Sequence, residues 1–117
     1  FCCGLDGDMI TYVEYDKEDM IMEVGVEFDA SLLENLPEEE SDGKFDIESC
    51  GVAGITKWFC CGHELALKMP EETKDMTPFD HFVVNWNPKG HGPVGVYSGS
   101  PHFDFHFYTI TTEKRLS

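Results

Sequence analysis

The run Pro101-His102-Phe103-Asp104-Phe105-His106-Phe107-Tyr108 concentrates the groups in this chain that can bind a metal or move a proton. In a β-strand alternate side chains share a face. His102, Asp104, His106 and Tyr108 then line one face, and Phe103, Phe105 and Phe107 line the other, which is expected to be core. Residues two apart in a strand lie ~7 Å apart and residues four apart ~13 Å. Metal–ligand bonds of ~2.0–2.2 Å let Asp104 share an ion with either histidine. His102 and His106 together are at the limit of their reach. Further ligands must therefore come from other elements. His91, in the Gly-rich loop Asn87-Pro88-Lys89-Gly90-His91-Gly92-Pro93, is the first candidate, followed by His63 and Glu64, then His81. The expected metal residues are thus His91, His102, Asp104 and His106, with zinc the leading ion. A metal-free polar ladder, in which Asp104 bonds the neighbouring histidines or backbone, is the competing reading.

Such a site could support catalysis in two ways. An ion can activate water, or a His–Asp pair can act as a general base. A Cys–His nucleophile would need Cys60 or Cys61 beside His63 or His106. No nucleophile elbow, phosphate-binding loop or dinucleotide fingerprint occurs, so no organic cofactor is expected.

The elements that must position these residues read as strands. Residues 10–15 are rich in β-formers. A polar turn, Asp16-Lys17-Glu18-Asp19, follows. Met20, Met22, Val24, Val26 and Phe28 then alternate with Ile21, Glu23, Gly25 and Glu27, so 10–15 and 20–28 predict an antiparallel hairpin. Asp29 is placed to cap a short helix over 30–36, which Pro37 ends. Residues 55–69 predict an extended stretch broken at Gly62, residues 70–78 a connector and residues 79–87 a strand. Residues 94–97 predict a short strand, 102–111 the strongest strand and 111–115 the start of a helix. The fold class is all-β, or β-rich α+β: an antiparallel sandwich or barrel-like sheet with one short helix near 30–36.

The 117 residues amount to one domain, 1–117. Because the chain starts at Phe1 and not Met, the expectation is that a preceding segment has been removed. The formal net charge of −15 argues against nucleic acid and against an anionic membrane surface. No apolar run nears the ~20 residues needed to span a bilayer. Five cysteines, Cys2, Cys3, Cys50, Cys60 and Cys61, carry no C-x-x-C spacing. They read as disulfide candidates in a secreted protein, extracellular, periplasmic or on the cell surface. Their odd number leaves at least one thiol free or bonded to another chain.

The segments 25–28 through 33–37, Thr77-Pro78-Phe79-Asp80-His81, 85–91 and 101–108 together resemble a family of secreted bacterial β-rich domains of unknown function, marked by a Pro-His-Phe-Asp-Phe-His-Phe-Tyr core. The likeness runs from about Gly7 to Arg115. It implies relatives and no activity. Family members have Gly-His-Glu-Pro where this chain has Gly90-His91-Gly92-Pro93, so a glutamate that could serve as a ligand in relatives is absent here. Members also continue well past Arg115, which makes this chain either the N-terminal part of a longer one or a shortened relative that completes its sheet by oligomerising. The expected function is an extracellular, non-catalytic, self-associating module with a metal site on the 102–106 strand. The alternative is a metal-dependent hydrolase or oxygenase using His102, Asp104, His106 and His91. The expected partner is a second copy, in a homo-oligomer or polymer.

Overall fold

The computed structural model describes residues 9–40, 44–46, 56–58, 62–91 and 93–117. All five disulfide candidates, Cys2, Cys3, Cys50, Cys60 and Cys61, lie outside the described residues.

The expected hairpin forms. Strand β1 (Met9–Tyr15) pairs antiparallel with β2 (Ile21–Phe28), from Met9 opposite Phe28 to Tyr15 opposite Ile21. The turn is built by Asp16, whose Oδ1 accepts from the backbone N–H groups of Glu18 (2.8 Å) and Met20 (3.0 Å). A short side chain that captures nearby backbone donors is why aspartate starts such turns. Two of the five residues of the expected apolar stripe are covered: Val24 and Val26 pack against the core, whereas Met20, Met22 and Phe28 are exposed.

The helix near 30–36 is a single 3₁₀ turn, Ala30–Leu33, which buries Leu32. Asp29 stands at its N-cap, but the side chain makes no capping bond; the backbone carbonyl of Asp29 accepts from Leu32 N–H at 2.9 Å instead. Asn35 in the left-handed region (φ 55°) ends the turn before Leu36.

Strands β3 (Lys44–Asp46) and β4 (Thr56–Trp58) form a small antiparallel pair. The main sheet has the order β5-β6-β7, all antiparallel, from β5 (His63–Lys68), β6 (His81–Asn87) and β7 (His102–Tyr108). A 3₁₀ turn, Glu71–Thr73, lies between β5 and β6, and a short helix α1 (Thr112–Leu116) follows β7, started by Thr111 Oγ1 accepting from Lys114 N–H. Antiparallel pairing dominates, and no barrel closes among the described residues. The hairpin and the main sheet share one core of Met9, Leu32, Leu65, Met69, Phe82 and Val84. Thr11 Oγ1 ties the two layers by donating to the Lys68 carbonyl at 2.7 Å.

Two expectations are corrected. The phenylalanines of β7, expected to be core, are not all buried: among the described residues β7 is the outer strand of its sheet, and Phe105 is 50% exposed and Phe107 37%. The core centres on β5 and β6, so β7 lies beyond its middle. Phe103 packs against Trp86 with ring centroids 4.7 Å apart, while Phe105 and Phe107 lean on the buried Phe82 at 6.0 and 5.1 Å with their outer sides open. The predicted strand at 94–97 is a series of turns. Val96 and Tyr97 both donate to the Pro93 carbonyl, and Gly95 has φ +86°, a backbone state that strands do not use.

Candidate metal centre

The pairing of β6 with β7 sets one face of the sheet. Asn87 lies opposite His102, Asn85 opposite Asp104 and Val83 opposite His106. His102 and Asp104 therefore project from the same side, as the alternation requires. His91 comes to them from the loop between the two strands. The loop folds back because Gly90 N–H bonds the Asn87 carbonyl (3.2 Å) and Gly99 N–H bonds the Lys89 carbonyl (2.8 Å). Gly90 itself has φ +68°, and a Cβ there would sit 1.9 Å from the Tyr97 carbonyl oxygen. Only glycine allows the chain to cross itself at this point.

Three ligand atoms meet. His91 Nε2 is 2.9 Å from Asp104 Oδ2 and 3.1 Å from His102 Nε2, and His102 Nε2 is 3.6 Å from Asp104 Oδ2. Ligands at ~2.0–2.1 Å from a tetrahedral ion lie about 3.3–3.4 Å from one another, and cis ligands of an octahedral ion about 2.9 Å. The observed triangle spans these values, so the group His91, His102 and Asp104 could hold a metal ion.

The atoms around the triangle fix its orientation. His102 Nδ1 lies 2.7 Å from the Ser100 carbonyl, which can only accept, so Nδ1 carries the proton. The lone pair of neutral His102 is then on Nε2, facing the other two groups. Histidine ligands are commonly held by such a bond from the second ring nitrogen. Asp104 Oδ2 also accepts from Asn87 Nδ2 at 2.9 Å. Asn87 is buried against Gly62, where a Cβ would sit 2.5 Å from Asn87 Oδ1. Partial burial pushes the Asp104 carboxyl up, but the hydrogen bond from His91, the nearby His102 and His91 and the Asn87 bond together hold it below its ordinary value. Asp104 is thus a ready anionic ligand. The Tyr97 ring lies against both imidazoles, at 5.9 Å from His91 and 5.7 Å from His102.

The fourth expected ligand, His106, is not brought into the group. It sits two residues along β7, exposed, with its ring 5.9 Å from that of Tyr108. The lesser candidates are engaged elsewhere. His63 Nε2 donates to the Glu39 carbonyl at 2.9 Å. His81 is buried, stacked on Tyr108 at 4.9 Å and paired through Nδ1 with Asp80 at 2.7 Å. Glu64 is buried in an ion pair with Arg115 (3.0 Å) and accepts from Asn85 Nδ2 (3.0 Å). Sequence reading missed Asn87, Ser100 and Tyr97. Asn87 had a signal, because it shares a face with Val83 and Asn85 on β6. The Ser100 carbonyl had none, since backbone acceptors leave no mark in residue type.

No helix of the described residues is long and apolar enough to cross a membrane. No family model, curated protein or solved structure matches this chain.

Proposed function

We propose that the domain is an extracellular, non-catalytic module that binds one divalent metal ion, zinc before others, through His91, His102 and Asp104. The observation that carries this reading is the convergence of two imidazole Nε2 atoms and one carboxylate oxygen to 2.9–3.6 Å of one another. A metal-free ladder would account for the His91–Asp104 bond. It would also let His102 Nε2 accept from His91 Nε2 at 3.1 Å, but it leaves the 3.6 Å approach of His102 to Asp104 without a bond, whereas one shared ion would engage all three atoms. Two imidazoles and a carboxylate are a borderline donor set that suits zinc and also iron(II). The secreted setting belongs to the proposal too, supported by five cysteines and by the resemblance of residues 101–108 to a secreted bacterial family.

Binding needs the lone pair of His91 Nε2, so a proton on that nitrogen facing Asp104 must move to Nδ1 or leave, and any proton release accompanies metal uptake. The test is isothermal titration of metal-free protein with zinc chloride in buffers of differing ionisation enthalpy, beside elemental analysis of protein purified without chelator. One zinc per chain, lost in Asp104→Ala and in His91→Ala, supports the reading. Equal zinc uptake by wild type and Asp104→Ala refutes it, because the cysteines would then account for all bound metal.

The alternative reading, a metal-dependent hydrolase or oxygenase, draws on one observation. The three side chains remain partly open to solvent, and catalytic zinc sites keep three protein ligands with one position open to water. Hydrolysis of activated esters by the zinc-loaded protein, absent in Asp104→Ala, would favour it.

A further inference from the structure

The metal reading leaves three features of β7 unused. The strand is the outer strand of its sheet among the described residues. Phe105 and Phe107 are exposed on one of its faces. His106, also exposed, stands on the other face beside the metal group without joining it. An open edge is a template for another strand, and one occupant answers all three features.

We propose that β7 pairs antiparallel with β7 of a second copy, and that the partner's His106 supplies a fourth ligand to the ion held by His91, His102 and Asp104. This rests on the metal reading above.

The register follows from the strand itself. Two antiparallel strands keep their faces matched only if residues of the same parity pair, because a slip of one residue turns every side chain to the opposite face. Full overlap of two seven-residue strands 102–108 is centred on Phe105 and meets this condition. It sets Phe105 against the partner's Phe105 and Phe103 against the partner's Phe107, which packs the exposed rings edge to edge with those of the partner. It also sets Asp104 against the partner's His106, an attractive pair. Sliding by two residues in one direction sets Asp104 against its own copy, and like charges directly opposite are destabilising. Sliding by two in the other direction sets Asp104 against the partner's Tyr108. Both slides also shorten the overlap.

Directly opposed residues have Cβ atoms about 4.5–5.5 Å apart. The partner's imidazole therefore starts beside the Asp104 carboxylate and points from the same sheet face. The two-fold axis repeats the arrangement, giving two ions per dimer, each with three imidazoles and one carboxylate. Four protein ligands close a tetrahedral zinc site and make it structural. The pairing also answers why His106 cannot serve its own chain: the strand carries it ~7 Å past Asp104, while the antiparallel neighbour carries the same residue back to it.

The test uses sedimentation velocity under reducing conditions with chelator and then with zinc chloride, alongside zinc titration, on wild type, His106→Ala, Phe105→Lys and Asp104→Ala. Phe105→Lys alters an exposed side chain and places two like charges on the two-fold axis. Asp104→Ala gives the background from cysteine-bound zinc, which is subtracted. Wild type is expected to pass from a 13.3 kDa species with chelator to one of twice that mass with zinc. His106→Ala and Phe105→Lys should stay at the lower mass while still binding one zinc per chain, both about tenfold or more weakly than wild type because each lacks the partner's imidazole. Wild type that binds zinc yet keeps the lower mass, or His106→Ala that dimerises like wild type, overturns the shared site and leaves the metal reading standing. Wild type that binds no more zinc than Asp104→Ala overturns both.

Discussion

Gly90→Ala separates the loop's part in the site from the strand's. Alanine at φ +68° carries the left-handed penalty of ~1–2 kcal/mol. Its Cβ would lie 1.9 Å from the Tyr97 carbonyl oxygen and 2.9 Å from that of Ser100. Both are backbone atoms, so no rotamer change relieves the overlap and the loop must open by more than an ångström. Opening breaks the bonds from Gly90 N–H to Asn87 and from Gly99 N–H to Lys89, worth about 1 kcal/mol each. The expected loss is about 3–4 kcal/mol in urea denaturation. Zinc affinity should fall at least ~10-fold, because His91 leaves the group and the Ser100 carbonyl that orients His102 moves with the loop. Gly95→Ala is the control: φ is +86°, but nothing lies within 4 Å of the added Cβ. It should lose only the conformational term of ~1–2 kcal/mol and keep its zinc affinity. Urea unfolding followed by tryptophan fluorescence, with zinc titration of the same samples, reads both quantities. Equal zinc affinity in the two variants would refute the idea that the crossing at Gly90 places His91.

The buried Arg115–Glu64 pair, with side chains 8% and 9% exposed, should be costly to halve. Arg115→Met is expected to lose about 3–5 kcal/mol in urea denaturation, and the double change Glu64→Leu, Arg115→Met to recover most of it. Phe82→Ala should cost about 3–5 kcal/mol as a core cavity, while Phe105→Thr should cost the monomer less than about 1 kcal/mol, both read from urea midpoints with chelator present. In metal-free protein the Asp104 carboxyl has a folded pKa below its ordinary 3.8. The unfolded chain therefore binds the proton first, and the stability that Asp104 contributes is present above pH 3.8 and lost as pH falls through the folded value. Urea midpoints from about pH 6 down to about pH 2.5 should show this acid limb in wild type and a shallower one in Asp104→Asn.

What the sequence could reveal was which residues share a face. The hairpin of β1 and β2 was readable because alternation from Met20 to Phe28 meets a turn that Asp16 builds with its own side chain. The polar face of β7 was readable for the same reason, and His91 was readable because the glycines around it allow a chain reversal. Alternation does not say what covers a face. Phe103, Phe105 and Phe107 carry the strongest burial signal in the chain, yet two of them are exposed because β7 is the outer strand of its sheet among the described residues. The opposite face of β6 carries polar residues and is nonetheless buried at His81 and Asn87. Their partners, Tyr108 for His81 and Asp104 for Asn87, come from β7 across the ladder, and no local pattern announces them. At 94–97 two β-branched residues and a tyrosine suggested a strand, but the turn chemistry of Pro93, Gly95 and Gly99 prevailed.

Charge sets how a shared metal site would behave. Each chain carries −15, and two copies brought edge to edge repel across their whole surfaces. Added salt screens that repulsion beyond a Debye length of about 8–10 Å near physiological ionic strength and acts on every exposed carboxylate alike. Zinc acts at one point. It supplies two positive charges beside Asp104 and asks for an imidazole where the register supplies one. The two influences are therefore separable. Association through the exposed carboxylates around Glu38–Glu40 would strengthen with sodium chloride in the presence of chelator and ignore His106. Association through β7 would need the ion, depend on His106 at any salt concentration, and gain from salt only in proportion to the repulsion removed.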